Sequence, residues 1–416
     1  MLRLRARCPS LAMAMGLALA LGGCTLLDIR DQSRAVEQLA QFDGHVDVRL
    51  DDGARVYAAL LHVEAGTVRW VNRFRIGRSG RFHFPAPPGD YAVAAFADEN
   101  DDGAYQFEEP AGYAADNAGE PEIFTVAPGE EITVTPFTVR GPLDNVSHYD
   151  IVPDLSKATQ NIGARASLND AIFERTYTSM GMWRPFDFAA SVGGGLFLLQ
   201  DYAPDKTPVI FVHGINGGPR DFAETIAALD TSRFQPWAFY YPSGVRLAQV
   251  SEFLVKAVNQ LQAQHGFEHF FVVAHSMGGL MARSFVKRHY ETGSPAHLAF
   301  FMTINSPIGG LKSAREGVDR SPVVLPAWRD LATGSEFIRE LEQWPWPERT
   351  PYHLVFSYES GEGDDGLVAL ESQIPSYLQK QAARVYGYNA GHAGILREPE
   401  FHTDLNAVLH ASLEAL

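Results

Sequence analysis

Cysteine is nearly absent from this sequence, whose 416 residues include two, Cys8 and Cys24. Because Cys8 lies in an N-terminal segment that we expect to be removed, the mature chain keeps one thiol and cannot form an internal disulfide. Packed cores, rather than covalent cross-links, must therefore hold the chain folded.

Positive charge is also scarce, since 34 Lys and Arg stand against 50 Asp and Glu and the formal net charge is −16. A surface of this sign repels polyanions, which argues against nucleic acid as a partner. The same balance gives no support for adhesion to acidic lipids through a basic patch. We expect the protein to be a monomer.

Long apolar runs are missing after the first residues of the chain, and a second stretch of about 18 apolar residues does not occur. Residues 1–23 have the order of an export signal: arginines near the start, an apolar stretch over 11–21, and small residues before Cys24. We predict a signal peptide over 1–23 and a tether over 24–43.

The segment Leu21-Gly22-Gly23-Cys24 resembles the lipobox of bacterial lipoproteins. The resemblance implies that Cys24 is acylated and that the protein binds the membrane through these lipids. In that family, Thr25 rather than Asp after the cysteine indicates the outer membrane. The expected location is therefore the bacterial outer membrane, facing the periplasm or the outside. The alternative is a cleaved signal with an incidental cysteine.

Residues 44–140 contain short runs of strand-type residues separated by turn sequences such as Asp51-Asp52-Gly53 and Pro87-Pro88-Gly89. Such alternation is typical of half-buried strands. Strands are predicted at 45–50, 56–63, 68–76, 81–84, 91–96 and 132–139. We predict an all-β sandwich domain over 44–140, and the segment 80–91 resembles the prealbumin-like or carboxypeptidase-regulatory-like sandwiches of secreted proteins.

The acidic segment 98–103, followed by Glu109, matches the sequence expression of an EF-hand loop. Its flanks have strand and turn sequences rather than helices, so we reject an EF-hand. A calcium ion held by Asp98, Asn100 and Asp102 stays open, because hard oxygen ligands suit this cation.

Residues 141–195 are interpreted as a connector with a helix over 164–180 that is broken at Trp183-Arg184-Pro185. From residue 196 onward, strands, turns and helices alternate, which predicts a mostly parallel sheet covered on both faces. Strands are predicted at 196–199, 209–212, 237–240, 270–274, 298–304, 353–357 and 384–388. Helices are predicted at 221–229, 247–264, 280–290, 337–341 and 400–413.

A nucleophile-elbow sequence, Ala274-His275-Ser276-Met277-Gly278, lies where an apolar strand is followed by a helix. Ala274 replaces the first glycine of the motif, and its small side chain still allows the tight turn. A serine hydroxyl becomes a nucleophile when it is exposed on such a turn beside a base. Ser276 is the predicted nucleophile, and the alternative is a serine that only caps the helix.

Upstream, Val212-His213-Gly214-Ile215-Asn216 follows another apolar strand. In hydrolases such a loop supplies one backbone N–H group to the oxyanion hole, and the residue after the nucleophile supplies the second. We assign these donors to Ile215 and Met277. His213 is interpreted as a structural turn residue rather than as a base.

The acid and the histidine of a triad should follow later strands, in that order. Asp365, in Gly363-Asp364-Asp365-Gly366, is the predicted acid, with Asp364 as the alternative. His392 lies on a loop with glycines on both sides, as suits a base that must reach Ser276. His402 belongs to the final helix and is interpreted as a surface residue.

Through these four motifs, and through the segment 305–310, residues 208–416 resemble the bacterial lipase and GPI-inositol-deacylase-like branch of the α/β-hydrolases. The resemblance implies a doubly wound, mostly parallel sheet over 196–416, behind the smaller all-β sandwich. It also implies a cap over about 308–350, an acyl pocket beneath that cap, and a catalytic site without a metal.

The same resemblance implies an enzyme that cleaves carboxylic esters, including lipids, through an acyl-enzyme on Ser276 and without a cofactor. Two alternatives stay open. The first is an acyltransferase that uses the same triad. The second is a binding lipoprotein with a vestigial hydrolase fold.

Overall fold

A computed structural model describes residues 29–32, 34–35, 37–48, 55–64, 67–76, 80–99, 105, 108–141, 161–359 and 363–416. The predicted signal peptide, Cys24 and two of the predicted calcium ligands, Asn100 and Asp102, lie outside these residues. Within these ranges, no three His, Cys, Asp or Glu side chains come together in a way that could hold a metal ion. No helix in the described ranges is long and apolar enough to cross a membrane.

The N-terminal region forms two sheets. Their strands are β1 (Ala40–Val48), β2 (Arg55–Glu64), β3 (Thr67–Arg75), β4 (Arg81–Ala86), β5 (Gly89–Asp98), β6 (Ala111–Tyr113), β7 (Phe124–Val126), β8 (Glu131–Thr133) and β9 (Phe137–Val139). One sheet has the order β4-β1-β8, with β9 also paired to β1, and the other has the order β3-β2-β5-β6, with β7 paired to β5. Phe42 of β1 contacts Tyr91 of β5 edge to face between the sheets, with ring centroids 5.5 Å apart.

Several strands of this region differ from their predicted extents. The predicted strand 132–139 is two strands, β8 and β9, because Pro136 cannot donate a ladder hydrogen bond and the chain leaves the sheet there. Strand β1 begins five residues before the predicted residue 45. Strands β6 and β7 have three residues each, too few to show an alternating pattern.

The C-terminal region contains a seven-stranded sheet with the order β10-β12-β11-β13-β14-β15-β16. Its strands are β10 (Gly195–Leu198), β11 (Thr207–Val212), β12 (Phe234–Tyr240), β13 (His269–His275), β14 (His297–Ile304), β15 (Tyr352–Ser357) and β16 (Arg384–Tyr388). The pair β10 and β12 is antiparallel, and the other pairs are parallel. Each predicted strand of this region is present, with ends shifted by at most three residues.

Helices cover both faces of this sheet. They are α1 (Arg175–Trp183), α2 (Pro185–Ser191), α3 (Ala223–Ala227), α4 (Leu247–His265), α5 (Met277–Glu291), α6 (Lys312–Arg320), α7 (Pro326–Leu331), α8 (Glu336–Gln343), α9 (Leu370–Gln373), α10 (Ser376–Gln381) and α11 (Pro399–Glu414). In strand β11, Ile210 and Val212 pack with helices α4 and α5, and Val209 and Phe211 pack with α3 and α11. A strand with two covered faces needs apolar residues on both of them, which explains the apolar run over 208–212.

The helix predicted over 164–180 is wrong in its extent. Helix α1 begins at Arg175. Pro185 was expected to break the helix, but it is the first residue of a second helix, α2. A proline in the first helical position has no N–H to lose and already has a helical φ, so it starts this helix. The predicted connector ran to residue 195, but the chain packs against the large sheet from residue 161 onward, and Phe188 of α2 contacts the ring of Tyr240 at 5.0 Å.

The segment 308–350, which we call the cap segment, contains helices α6, α7 and α8. Its Trp328 is buried and contacts Trp183 edge to face at 6.2 Å. Asp330 is 1% exposed, accepts the N–H of Leu247 at 2.7 Å, and forms an ion pair with Arg246 at 2.8 Å. The cap segment is therefore tied to the beginning of helix α4 by a buried carboxylate.

Buried histidines make the stability of this protein depend on pH. Burial lowers the pKa from 6.5 to about 4 in His213, His289 and His353 and to about 3 in His275. Between pH 6.5 and about 4 the unfolded chain therefore binds more protons than the folded chain. The free energy of unfolding should fall as the pH is lowered through this window.

We expect His289→Gln to reduce the number of protons taken up on unfolding by about one in this window. His289 is remote from the elbow and donates from Nε2 to the carbonyl of Ala296 at 2.9 Å, a bond that a glutamine amide can replace. Urea unfolding between pH 4 and 7 measures the slope. An unchanged slope in this variant would contradict the prediction.

Candidate active site

Ser276 lies on the sharp turn between strand β13 and helix α5. Its backbone has φ 55° and ψ −133°, a left-handed conformation that non-glycine residues rarely adopt. The turn has room for small residues only, because a Cβ atom at Gly278 would collide with the carbonyl of His213. The strained turn places the hydroxyl of Ser276 at the carboxyl edge of the sheet, with 5% of the residue exposed.

His392 joins Ser276 to Asp365. Its Nε2 lies 2.8 Å from Oγ of Ser276, and its Nδ1 lies 2.7 Å from Oδ2 of Asp365. The carboxylate can only accept, so Nδ1 carries the proton and Nε2 is free to accept from the serine hydroxyl. The three side chains that we predicted from the sequence are therefore in hydrogen-bonding order.

The two candidate acids have different positions. Asp365 is 1% exposed, and its Oδ1 accepts the N–H groups of Leu367 at 3.0 Å and Val368 at 2.7 Å. Asp364 turns away and accepts the N–H of Gly366 at 2.9 Å. The structure thus brings Asp365, and not Asp364, to His392. His402 lies in helix α11 and contacts the carbonyl of Leu396, apart from the other three side chains.

Two further residues hold the loop of His392 and were missed by sequence reasoning. The carbonyl oxygen of His392 accepts a hydrogen bond from Nε2 of His275 at 2.9 Å and another from Nδ2 of Asn305 at 3.0 Å. The N–H of His392 donates to the carbonyl of Asp365 at 2.7 Å. His392 is therefore held through its backbone as well as through its ring.

His275 is suited to this contact because it is neutral. Burial, together with the nearby His392, lowers the pKa of His275 to about 3, so its ring carries one proton at neutral pH. That proton lies on Nε2, where it is donated to the carbonyl of His392.

The position of Asn305 in the sequence could have indicated its role. It comes directly after an apolar strand, where polar residues reach the carboxyl edge of a parallel sheet.

The loop that was predicted to form the oxyanion hole lies against Ser276. A Cβ atom at Gly214 would be 2.8 Å from Cβ of Ser276, so only glycine allows this approach. Ile215 follows and is half-buried. Met277 is the first residue of α5, and its N–H has no partner within the helix because the first turn of a helix leaves such groups free.

His213 has structural contacts on all sides. It is buried and stacks on Tyr241 at 4.2 Å, its Nδ1 donates to the carbonyl of Gly214 at 2.8 Å, and its Nε2 accepts the N–H of Tyr241 at 3.3 Å. Burial lowers the pKa of His213 to about 4, which keeps the ring neutral. Both nitrogens are occupied, so His213 has no capacity left to act as a base.

We expect Asn305→Asp to lower kcat by roughly 10- to 100-fold with little change in KM, because a carboxylate cannot donate to the carbonyl of His392 and the base loses part of its alignment. Aspartate also tolerates the left-handed conformation at this position, where φ is 49°, so the backbone should be preserved. Steady-state kinetics on a soluble ester measure both constants. Asn259→Asp is the matched control, since Asn259 lies in helix α4 outside this site and its Oδ1 accepts the hydroxyl proton of Ser294 at 2.6 Å, a contact that aspartate keeps.

Comparisons with known proteins concern the C-terminal region. Residues 207–331 match the family model described as alpha/beta hydrolase fold. No curated protein matches the sequence. The mature form of a lipase from Bacillus licheniformis is similar in structure, with 17% identity, coverage of 50% of this chain and 94% of that chain, and a TM-score of 0.41.

Two other solved structures have comparable likeness. Lipase B of Aspergillus fumigatus has 17% identity, coverage of 52% of this chain and 55% of its own, and a TM-score of 0.41. A structure from a study of carboxylesterases of Nitrososphaera gargenis has 12% identity, coverage of 54% and 98%, and a TM-score of 0.39. At these identities the likeness concerns the fold alone. The match to the family model and the observed order of the strands confirm the predicted fold class, in which an α/β-hydrolase sheet follows an N-terminal all-β region.

Proposed function

We propose that this protein is a serine hydrolase that cleaves carboxylic esters through an acyl-enzyme on Ser276. The observation that carries the proposal is the position of His392, whose two ring nitrogens lie 2.8 Å from Oγ of Ser276 and 2.7 Å from Oδ2 of Asp365. In this arrangement one group is a nucleophile, one is a base of the right tautomer, and one is a buried carboxylate that holds it.

The proposed reaction has two halves. His392 takes the hydroxyl proton of Ser276 while Oγ forms a bond to the ester carbonyl carbon, and the imidazolium then gives this proton to the leaving alcohol. Water next gives a proton to His392 and attacks the acyl carbon, and Ser276 recovers its proton as the carboxylic acid leaves. Asp365 stays ionised and stabilises the imidazolium in both halves.

The oxyanion that forms in each half needs hydrogen-bond donors. We assign this role to the backbone N–H groups of Ile215 and Met277, which belong to the two loops beside Ser276. Donors that are already oriented contribute on the order of 3 kcal/mol each to lowering the barrier. The steps use no metal and no cofactor.

We further propose that the enzyme acts at a membrane on lipid-like esters. The support is the lipobox-like sequence before Cys24, which predicts a lipoprotein of the bacterial outer membrane, and the resemblance to the lipase and GPI-inositol-deacylase-like branch. The N-terminal β region, with its two facing sheets, is assigned as the predicted prealbumin-like module.

A fluorophosphonate probe tests the nucleophile directly. We expect one probe molecule to be bound per chain, and peptide mass spectrometry to locate it on Ser276. Lack of labelling in the folded protein would support the non-catalytic alternative. Incubation of a labelled ester with water and with alcohol acceptors then separates the hydrolase from the acyltransferase, because the first yields mainly free acid and the second mainly a new ester.

A further inference from the structure

The cap segment contributes to a groove of about 430 Å³ whose wall is rich in arginine. Four arginines line it: Arg246, Arg315, Arg329 and Arg339. The carboxylates in the lining are those of Asp330 and Glu336, so the groove has an excess of positive charge in a chain whose net charge is −16. Net charge argued against a basic patch, but folding gathers these cations at one place.

Two of the four arginines are already paired with carboxylates. Arg246 forms its ion pair with the buried Asp330 at 2.8 Å. Arg329 lies 3.9 Å from the carboxylate of Glu37, a separation at which exposed charges attract each other weakly.

The other two arginines are oriented by neutral groups. Nε and Nη2 of Arg315 donate to the carbonyl of Thr333 at 3.2 and 2.8 Å, and Nη1 of Arg339 donates to the carbonyl of Gly334 at 3.0 Å. In the part of the chain that the structure describes, neither forms an ion pair with a carboxylate. These neutral carbonyls hold the two guanidinium groups in place beside one tight turn.

We propose that this groove binds the phosphate of an anionic phospholipid headgroup and so docks the cap segment on the membrane surface. Two guanidinium groups with fixed positions and spare N–H donors suit the tetrahedral oxygens of a phosphate diester. The location agrees, because Glu37, which approaches Arg329, follows the predicted lipid-bearing Cys24 by 13 residues. Residues 29–32, 34–35 and 37 are helical, so these 13 residues span at most about 30 Å, and the groove lies within reach of a membrane that holds the anchor.

Hydrogen exchange of the full-length acylated protein in nanodiscs tests this docking without any need for ester hydrolysis. One preparation contains phosphatidylcholine alone, and the other contains phosphatidylglycerol in addition. With the anionic lipid we expect peptides from 311–340 to exchange about tenfold more slowly, the effect of a ligand at roughly ten times its dissociation constant. In R315Q/R339Q, this difference between the two nanodiscs should fall below about twofold.

The substitutions could loosen the turn at Thr333 and so speed up exchange in both nanodiscs. Comparing the two nanodiscs within each variant cancels this contribution. The variant R315K/R339K keeps both charges and should retain most of the tenfold difference. The control R233Q/R384Q removes two exposed arginines outside the groove, one just before β12 and one at the first residue of β16, and should retain all of the difference.

Three outcomes would overturn the proposal. Equal exchange of the wild-type protein in both nanodiscs would show that the groove does not select an anionic headgroup. If R233Q/R384Q lost the difference in exchange between the nanodiscs as fully as R315Q/R339Q does, the overall charge of the protein would explain the effect. Full protection by inorganic phosphate beside neutral nanodiscs would assign the groove to a free anion instead of a lipid. Because the readout is independent of Ser276, ester hydrolysis can fail its own test without affecting this one.

Discussion

Ser276→Ala should lower kcat for a soluble ester by about 10⁵-fold, equivalent to about 7 kcal/mol of barrier. The acyl-enzyme cannot form without Oγ, and the imidazole of His392, 2.8 Å from that oxygen, loses the group that it activates. The alanine removes a single atom from a residue that is 5% exposed, so the fold should persist. Hydrolysis of a p-nitrophenyl ester, followed at substrate saturation, measures the loss.

The control for this variant is Ser284→Ala. Ser284 lies on helix α5, which follows Ser276, is about equally buried, and shares a hydrogen bond of 3.0 Å with Oγ of Ser251. Its removal should change kcat less than about twofold. If Ser276→Ala retained full turnover while folded, another residue would have to be the nucleophile and the proposed mechanism would be wrong.

Asp365→Asn should lower kcat by roughly 10⁴-fold because it reverses the tautomer of His392. The N–H groups of Leu367 and Val368 require an acceptor at Oδ1, so the asparagine must keep its oxygen there and present its NH₂ group to His392. Nδ1 must then accept and Nε2 must carry the proton. In that state Nε2 cannot accept the proton of Ser276.

Asp364→Asn is the matched control, since it makes the same chemical change one residue away. The oxygen of the asparagine can still accept the N–H of Gly366, so kcat should change less than about twofold. The reverse result, with activity lost at Asp364 and kept at Asp365, would assign the acid to the alternative. Steady-state kinetics and the melting temperature of both variants complete the test.

Helices and strands were predictable from the sequence where a single pattern of apolar residues extends along most of the element. Strand β11 is apolar over 208–212 because it is covered on both faces, and it was expected at 209–212 and observed at Thr207–Val212. Strands β6 and β7 were not predicted, because a strand of three residues is too short to show an alternating pattern. The beginning of α1 at Arg175 was also missed, since its position depends on packing around Tyr240.

The sequence by itself determined the local features of the site. A small-residue turn between an apolar strand and a helix produces the elbow at Ser276, and a glycine-flanked histidine after the last strand predicts the base at His392. These features depend on residues that are neighbours in the chain. Local sterics and turn chemistry are therefore enough to locate them.

Only the tertiary structure decided which groups meet. The sequence favoured Asp365 over Asp364 but left both open, and only the fold brings the carboxylate of Asp365 to His392. The bonds from His275 and Asn305 to the carbonyl of His392, and the grouping of Arg246 with Arg315 and Arg339, join residues that are far apart in the chain. Such contacts follow from the packing of strands and helices over the whole domain, which no local pattern of residues encodes.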